Sequence, residues 1–199
     1  MKSNVCKIEK GTKDLELILK ESERVAEYNG FTHKQALQLR LLCEEVDGML
    51  PYIIEDFDGD IWIEYDKGVC KVNVSVKIPE LDIDEKEALI AVAKNKKNAS
   101  AVGIVGKIRN AIENFFLNED AMGAFNMSSN VFRMSAAYSE GVDYSYLWSL
   151  DEYRNTVKKE EETEEWDELE KSVIASVADD VIVGVKGKKA NITIVKKFA

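Results

Sequence analysis

The most constraining feature of the sequence is a pair of segments, 60–65 (DIWIEY) and 69–78 (VCKVNVSVKI), separated by the turn 66–68 (DKG). In the second segment, every other residue from Val72 to Ile78 is apolar and the residues between them are polar. Because successive side chains of a strand point to opposite faces, this alternation predicts an antiparallel hairpin with one buried face. Other elements must cover that face, so the chain needs helices on one side of a sheet.

Two helices are predicted ahead of the hairpin. The first ends at Asn29-Gly30, and the second begins after Thr32, whose hydroxyl accepts from the Gln35 amide in a capping box. Gly48 and Pro51 are expected to kink or end the second helix. Apolar residues recur in it every three or four positions, which predicts a buried stripe of Leu39, Leu42, Cys43, Val46, Met49, Leu50 and Ile53.

The rest of the chain predicts one further glycine-containing helix, over 101–117, and a terminal hairpin of segments 180–185 and 190–197. A short helix is expected within 82–92, and another begins at a capping box of Ser149 and Glu152. We therefore predict an α/β fold, a two-layer sandwich with helices on one face of a mixed sheet. Residues 1–199 form a single domain, in which 119–178 is a helical insert before the last hairpin.

Composition excludes several classes of function. The formal net charge is -10, from 37 acidic and 27 basic residues, which argues against nucleic acid or an anionic membrane as partner. No apolar run reaches the roughly 20 residues of a membrane span, so a cytoplasmic protein is expected. The 3 cysteines show no CxxC spacing, and His33 is the only histidine. A metal site, a disulfide framework and any mechanism with two imidazoles are therefore not expected.

The order of elements, with the stretches 39–50 (LRLLCEEVDGML) and 101–115 (AVGIVGKIRNAIENF), resembles the ATPase domain of histidine kinases, DNA gyrase and anti-sigma serine kinases, the GHKL superfamily. The resemblance covers most of 4–117 and 179–198. Anti-sigma kinases are the most similar members, because a capped helix of this type begins near the N-terminus with no phosphoacceptor helix ahead of it. The resemblance implies a Bergerat-type ATPase fold.

That family binds ATP through four local features, and this sequence departs from the first two. A glutamate serves as base and an asparagine one turn later holds magnesium, whereas here the pair is Glu45 and Met49. A thioether is a poor ligand for a hard cation that prefers oxygen. The second feature is an aspartate-x-glycine-x-glycine box that binds adenine, whereas here 78–82 reads IPELD. Ile78 stands where the aspartate belongs.

The other two features are reduced as well. The glycine-x-glycine that opens the phosphate-facing helix appears as 101–103 (AVG), and the glycine-threonine of the last hairpin appears as 189–190 (KA). A helix N-terminus still attracts anions. We therefore assign a residual anion or phosphate site to Ser100, Gly103, Gly106 and Lys97, with a capped helix beside a solvated loop as the simpler interpretation.

Taken with the resemblance, these departures favour a non-enzymatic pseudo-ATPase that regulates by binding another protein, such as a sigma factor or a signalling protein. No cofactor is then expected, and homodimerisation is left open. The alternative is an ATP-dependent serine kinase or ATPase that binds magnesium and ATP in a reorganised site, with Glu45 as the base. A third interpretation is a binder of another small anion in the remaining cleft.

Overall fold

The computed structural model describes residues 1–10, 15–54, 57–77, 103–117, 145–157, 172–186 and 188–198. Five helices and six strands lie in these ranges. The helices are α1 (Leu15–Tyr28), α2 (His33–Ile53), α3 (Gly103–Leu117), α4 (Leu150–Val157) and α5 (Val173–Val177). The strands are β1 (Cys6–Glu9), β2 (Asp58–Asp66), β3 (Val69–Lys77), β4 (Ser145–Ser149), β5 (Asp180–Lys186) and β6 (Lys189–Lys197).

The strands form one sheet in the order β1-β2-β3-β6-β5-β4. Every pairing among the described strands is antiparallel, so the prediction of a mixed sheet is wrong for this part of the chain. Short turns account for the β2–β3 and β5–β6 pairings, because strands joined by a tight hairpin run antiparallel. Between β2 and β3, Lys67 (φ 45°) and Gly68 (φ 84°) form a two-residue turn of the type that suits twisted strands. The predicted α/β class is confirmed.

The hydrophobic core lies between the helices and one face of the sheet. All seven residues of the predicted α2 stripe are buried, which confirms that prediction. The alternating positions of β3 that face them, Cys70, Val72, Val74 and Val76, are at most 1% exposed. Ile18 and Val25 of α1 and Ile104 and Ile108 of α3 join the same cluster. The helices α1, α3 and α5 pack against α2, which is the central helix of this layer.

Helix α2 continues through both of the residues that were expected to interrupt it. Gly48 and Pro51 lie inside the helix, which ends only at Ile53, so the prediction that they end the helix is wrong, whereas the predicted kink stays a prediction. Pro51 is in the last turn, where a proline removes one backbone hydrogen bond and leaves the rest of the helix intact. Leu50 and Ile53 on either side are buried, and the Ile54 amide donates to the Leu50 carbonyl at 3.0 Å. Tertiary packing therefore overrides the local signal.

Gly48 provides a direct test of this part of the helix. It is exposed, and a Cβ built on it meets no atom within 4 Å. Because glycine has more backbone freedom to lose on folding, Gly48→Ala is expected to raise the free energy of unfolding by about 1 kcal/mol. Urea denaturation of the two proteins measures this difference. A decrease instead would show that the fold itself requires a glycine at this position.

Several predicted features lie outside the described residues. They are the short helix within 82–92 and, within the predicted insert, residues 119–144 and 158–171. Within the predicted insert, 119–178, the structure describes β4, α4 and α5. Strand β4 is an edge strand paired with β5, and α4 packs against both of these strands. The capping of α4 is confirmed in one direction, since the Glu152 amide donates to the Ser149 hydroxyl at 3.2 Å.

Candidate functional site

The two adjacent carboxylates of α2 have different surroundings. Glu44 accepts a hydrogen bond from Arg40 at 3.0 Å, and the same guanidinium contacts Glu23 of α1 at 2.5 Å. Arg40 therefore links α1 to α2. These pairs are substantially exposed, so each adds little to stability. Glu45 is half-buried and makes no hydrogen bond or ion pair with the described residues, which leaves it as the one carboxylate of the two available for chemistry.

Met49 lies one helical turn after Glu45, where the resemblance would place a magnesium ligand. Its side chain is 4% exposed and belongs to the core cluster, together with Val46 and Leu50. The Met49 side chain is therefore part of the core, and this position offers no oxygen to a metal ion. In the described part of the chain, no group of three or more histidine, cysteine, aspartate or glutamate side chains is placed to hold a metal ion.

The predicted anion site at the start of α3 is described only in part. Gly103 is the first residue of α3 and has a φ of 76°, a conformation that favours glycine. Gly106 is buried in the first turn of the helix. Ser100 and Lys97 lie outside the described residues. The grouping of these four residues therefore stays a prediction.

Strands β3 and β6 pair at the end of the sheet where the resemblance would place adenine contacts. Lys77, the last residue of β3, is the direct partner of Lys189 at the start of β6, and Val76 is the partner of Ala190. Ala190 is fully buried and has a methyl group where the resemblance would place a threonine hydroxyl. Position 78, where the resemblance would place the adenine-binding aspartate, lies outside the described residues.

Ion pairs at this end of the sheet were not predicted. Lys7 pairs with Asp60 at 2.6 Å, and Lys77 pairs with Asp58. The hydrogen bond from Lys77 lowers the pKa of Asp58, and the hydrogen bond to Asp60 raises the pKa of Lys7. The alternation of apolar and polar residues in the strands could have indicated these ion pairs, because it places the four side chains on the sheet face opposite the core. Water and salt screen such exposed pairs, so they indicate solvated structure rather than a site.

Asp180 is a buried carboxylate that sequence reasoning missed. It is 3% exposed, and one of its oxygens accepts from the Ser149 hydroxyl at 3.0 Å, the Asp151 amide at 3.0 Å and the Val181 amide at 2.8 Å. The other oxygen is buried and makes no hydrogen bond within the described ranges. Asp180 thus ties the start of α4 to β5. Its contacts are structural, since a carboxylate near a helix N-terminus stabilises that end.

The three cysteines, Cys6, Cys43 and Cys70, are all buried free thiols. Burial raises the pKa of Cys43, and it raises the pKa of Cys70 to about 12. Since the thiolate is the nucleophile, these two thiols are inert at neutral pH in the folded protein.

This burial predicts how the thiols react. At pH 8, Cys43 and Cys70 are expected to react with a chromogenic disulfide reagent only through unfolding, whereas all 3 cysteines react at once in urea. The folded pKa values lie above the unfolded ones, so these thiols favour the folded state below pH 9 and lose that contribution as the pH rises further. Fast labelling of Cys43 or Cys70 at pH 8 without denaturant would contradict the burial.

Comparison with known proteins does not assign a family. No family model, no curated protein and no solved structure matches this chain. None of the described helices is long and apolar enough to cross a membrane.

Proposed function

We propose that this chain is a pseudo-ATPase, a protein with a degenerate Bergerat-type ATPase fold that regulates by binding another protein. The partner would be a sigma factor or another signalling protein, and the setting would be cytoplasmic. The observation that carries the proposal is the burial of Met49, whose side chain is 4% exposed. A helix that packs a thioether into the core at this position cannot offer an oxygen to magnesium there.

The end of the sheet where the last residues of β3 pair with the first residues of β6 supports the same conclusion independently. Ala190 is buried and has no hydroxyl, and it lies beside Val76, two residues before the expected adenine aspartate. Losing a hydrogen bond to a charged group costs roughly 1.5–3 kcal/mol of binding free energy. The loss of a metal ligand and of base contacts together leaves little affinity for a nucleotide.

The order of elements supports the finer fold assignment. Two helices precede the β2–β3 hairpin, a glycine-containing helix follows it, and a final hairpin completes the sheet. The same order occurs in the ATPase domains that the motifs resemble. Fold by itself does not define function, so the functional proposal depends on Met49 and Ala190 rather than on topology.

One observation favours the alternative, an ATP-binding serine kinase or ATPase with a reorganised site. Glu45 is half-buried on α2, and no described residue neutralises it. A general base needs such a carboxylate within reach of the proton it removes. This alternative would require metal ligands from residues other than Met49.

Calorimetric titration with magnesium-ATP distinguishes the two functions. We expect no saturable heat with the wild-type protein. A matched pair of variants sharpens the test: Glu45→Ala removes the candidate base, and Glu44→Ala removes a neighbouring carboxylate that is paired with Arg40. Binding tighter than about 100 μM that is lost in Glu45→Ala and kept in Glu44→Ala would overturn the proposal in favour of the alternative.

A further inference from the structure

Helix α2 presents an apolar stripe to solvent on the side opposite its buried stripe. Leu37, Leu41, Gly48 and Tyr52 are separated by four, seven and four residues, so they line up along one side of the helix. We call this set the α2 outer face. Leu37 is 51% exposed and Tyr52 is 71% exposed, so the face is open to a partner. Leu41 between them is half-buried, so the face consists of two exposed apolar ends on either side of an open glycine.

Gly48 lies in the middle of this face. It is not among the described glycines with positive φ, and no atom of the described residues comes within 4 Å of a Cβ built on it. Neither backbone conformation nor internal packing therefore requires a glycine at this position. A glycine does allow another backbone to come close to the helix. The open space between Leu41 and Tyr52 fits a side chain from a second helix.

The charges beside the α2 outer face distinguish between two possible occupants, a second copy of this chain and a helix of another protein. In an antiparallel pair of α2 helices from two copies, Leu41 would lie opposite the partner copy's Gly48, and Glu45, on one flank of the face, would lie beside the partner copy's Glu45. Such facing carboxylates repel. A helix with basic side chains would instead pair with Glu45, which has no partner among the described residues. The net charge of -10 favours a basic partner as well.

We infer that the α2 outer face docks an amphipathic helix of a partner protein, with lysine or arginine beside its apolar stripe. Leu37 and Tyr52 mark the two ends of the contact, and Gly48 receives a side chain between them. At a rise of about 1.5 Å per residue, the fifteen steps along the helix from Leu37 to Tyr52 span roughly 22 Å, or about four turns of partner helix. The inference rests on the proposed function, because it names the surface through which the protein would bind.

The probe is a fluorescein-labelled peptide of 18 residues, an amphipathic helix of leucine, alanine and lysine, measured by fluorescence anisotropy. A second peptide carries glutamate at every lysine position. We expect the lysine peptide to bind the wild-type protein and the glutamate peptide to bind at least about tenfold more weakly. Comparable binding of both peptides, or no binding of the lysine peptide, would overturn the inference.

Two variants locate the binding. Gly48→Gln fills the open space with a good helix former, and Tyr52→Ala removes an apolar anchor. Each variant is expected to bind the lysine peptide about tenfold more weakly than the wild type does. Tyr28→Ala is the matched control, because Tyr28 is 78% exposed on α1 and lies outside the face. Equal effects of Tyr52→Ala and Tyr28→Ala would overturn the inference. Circular dichroism of each variant confirms that it is folded.

Sedimentation of the protein alone tests the competing occupant. A dimer that Gly48→Gln disrupts would assign the face to a second copy and overturn the helix partner, whereas a monomer agrees with it. Failure of the inferred helix docking is distinguishable from failure of the proposed function. An inactive peptide leaves the nucleotide titration as it was, and magnesium-ATP binding would overturn the pseudo-ATPase without changing the peptide result.

Discussion

Replacing Gly59 with alanine is expected to lower the free energy of unfolding by about 3 kcal/mol, because the new methyl group has no room. A Cβ at this position would lie 2.4 Å from the Ser75 carbonyl oxygen, 2.7 Å from Cγ1 of Val76 and 2.9 Å from its Cα. Two of these atoms are backbone atoms of β3, so rotating a side chain cannot relieve the clash. Strands β2 and β3 would have to separate next to the buried Val76.

Urea denaturation of Gly59→Ala and Gly48→Ala compares the same substitution at two sites. The first is expected to destabilise the protein and the second to stabilise it, because Gly48 lies in open space on an exposed helix. A Gly59→Ala protein as stable as the wild type would contradict the close packing of β2 on β3.

Replacing Met49 with asparagine, the residue that the family site would require, is expected to destabilise the protein by about 4 kcal/mol. The change removes a side chain that is 4% exposed in the core and buries an amide. The amide finds no partner among the buried neighbours Val46, Leu50 and Ile53. Unpaired buried polar groups are costly because they lose their hydrogen bonds to water.

Met49→Leu is the matched control, since it keeps both volume and apolar character and is expected to cost less than about 1.5 kcal/mol. Thermal and urea unfolding of both variants measure the difference. A stable Met49→Asn protein that gains magnesium-dependent ATP binding would contradict the assignment of Met49 to the core. It would show instead that the side chain can turn toward a working cleft.

Local periodicity explains what could be predicted of the fold. The α2 stripe repeats every three or four residues, and all its members are buried. The β2–β3 hairpin and the Thr32 capping box also depend on neighbours within a few residues. Such features follow from short-range geometry, so a single sequence is sufficient to predict them.

Features that join distant segments could not be predicted in the same way. The pairing of β3 with β6 brings Thr193 and Asn73 into a hydrogen bond of 3.1 Å across 120 positions. Asp180 reaches Ser149 over 31 positions. No periodicity encodes these contacts, which appear only when the whole sheet is assembled. The uninterrupted α2 has a related cause, since burial of Leu50 and Ile53 outweighs the effect of Pro51.

The candidate site, like the fold, could be predicted only where it depends on neighbouring residues in the sequence. Spacing placed Glu45 and Met49 one turn apart and Met49 on the buried stripe; the structure confirms the burial of Met49 and adds that Glu45 is half-buried. The proximity of Lys77 and Lys189 required the strand register. Ser100 and Lys97 lie outside the described residues, so the anion site at the start of α3 remains a prediction.

The free energy of unfolding at increasing magnesium-ATP concentration tests most directly whether packing has replaced nucleotide chemistry. A ligand that binds only the folded chain at one hundred times its Kd adds about 2.7 kcal/mol to this free energy. We expect the same value with magnesium-ATP, with magnesium alone and with neither. A free energy that rises with nucleotide concentration in the wild type, and stays constant in Glu45→Ala, would contradict the pseudo-ATPase.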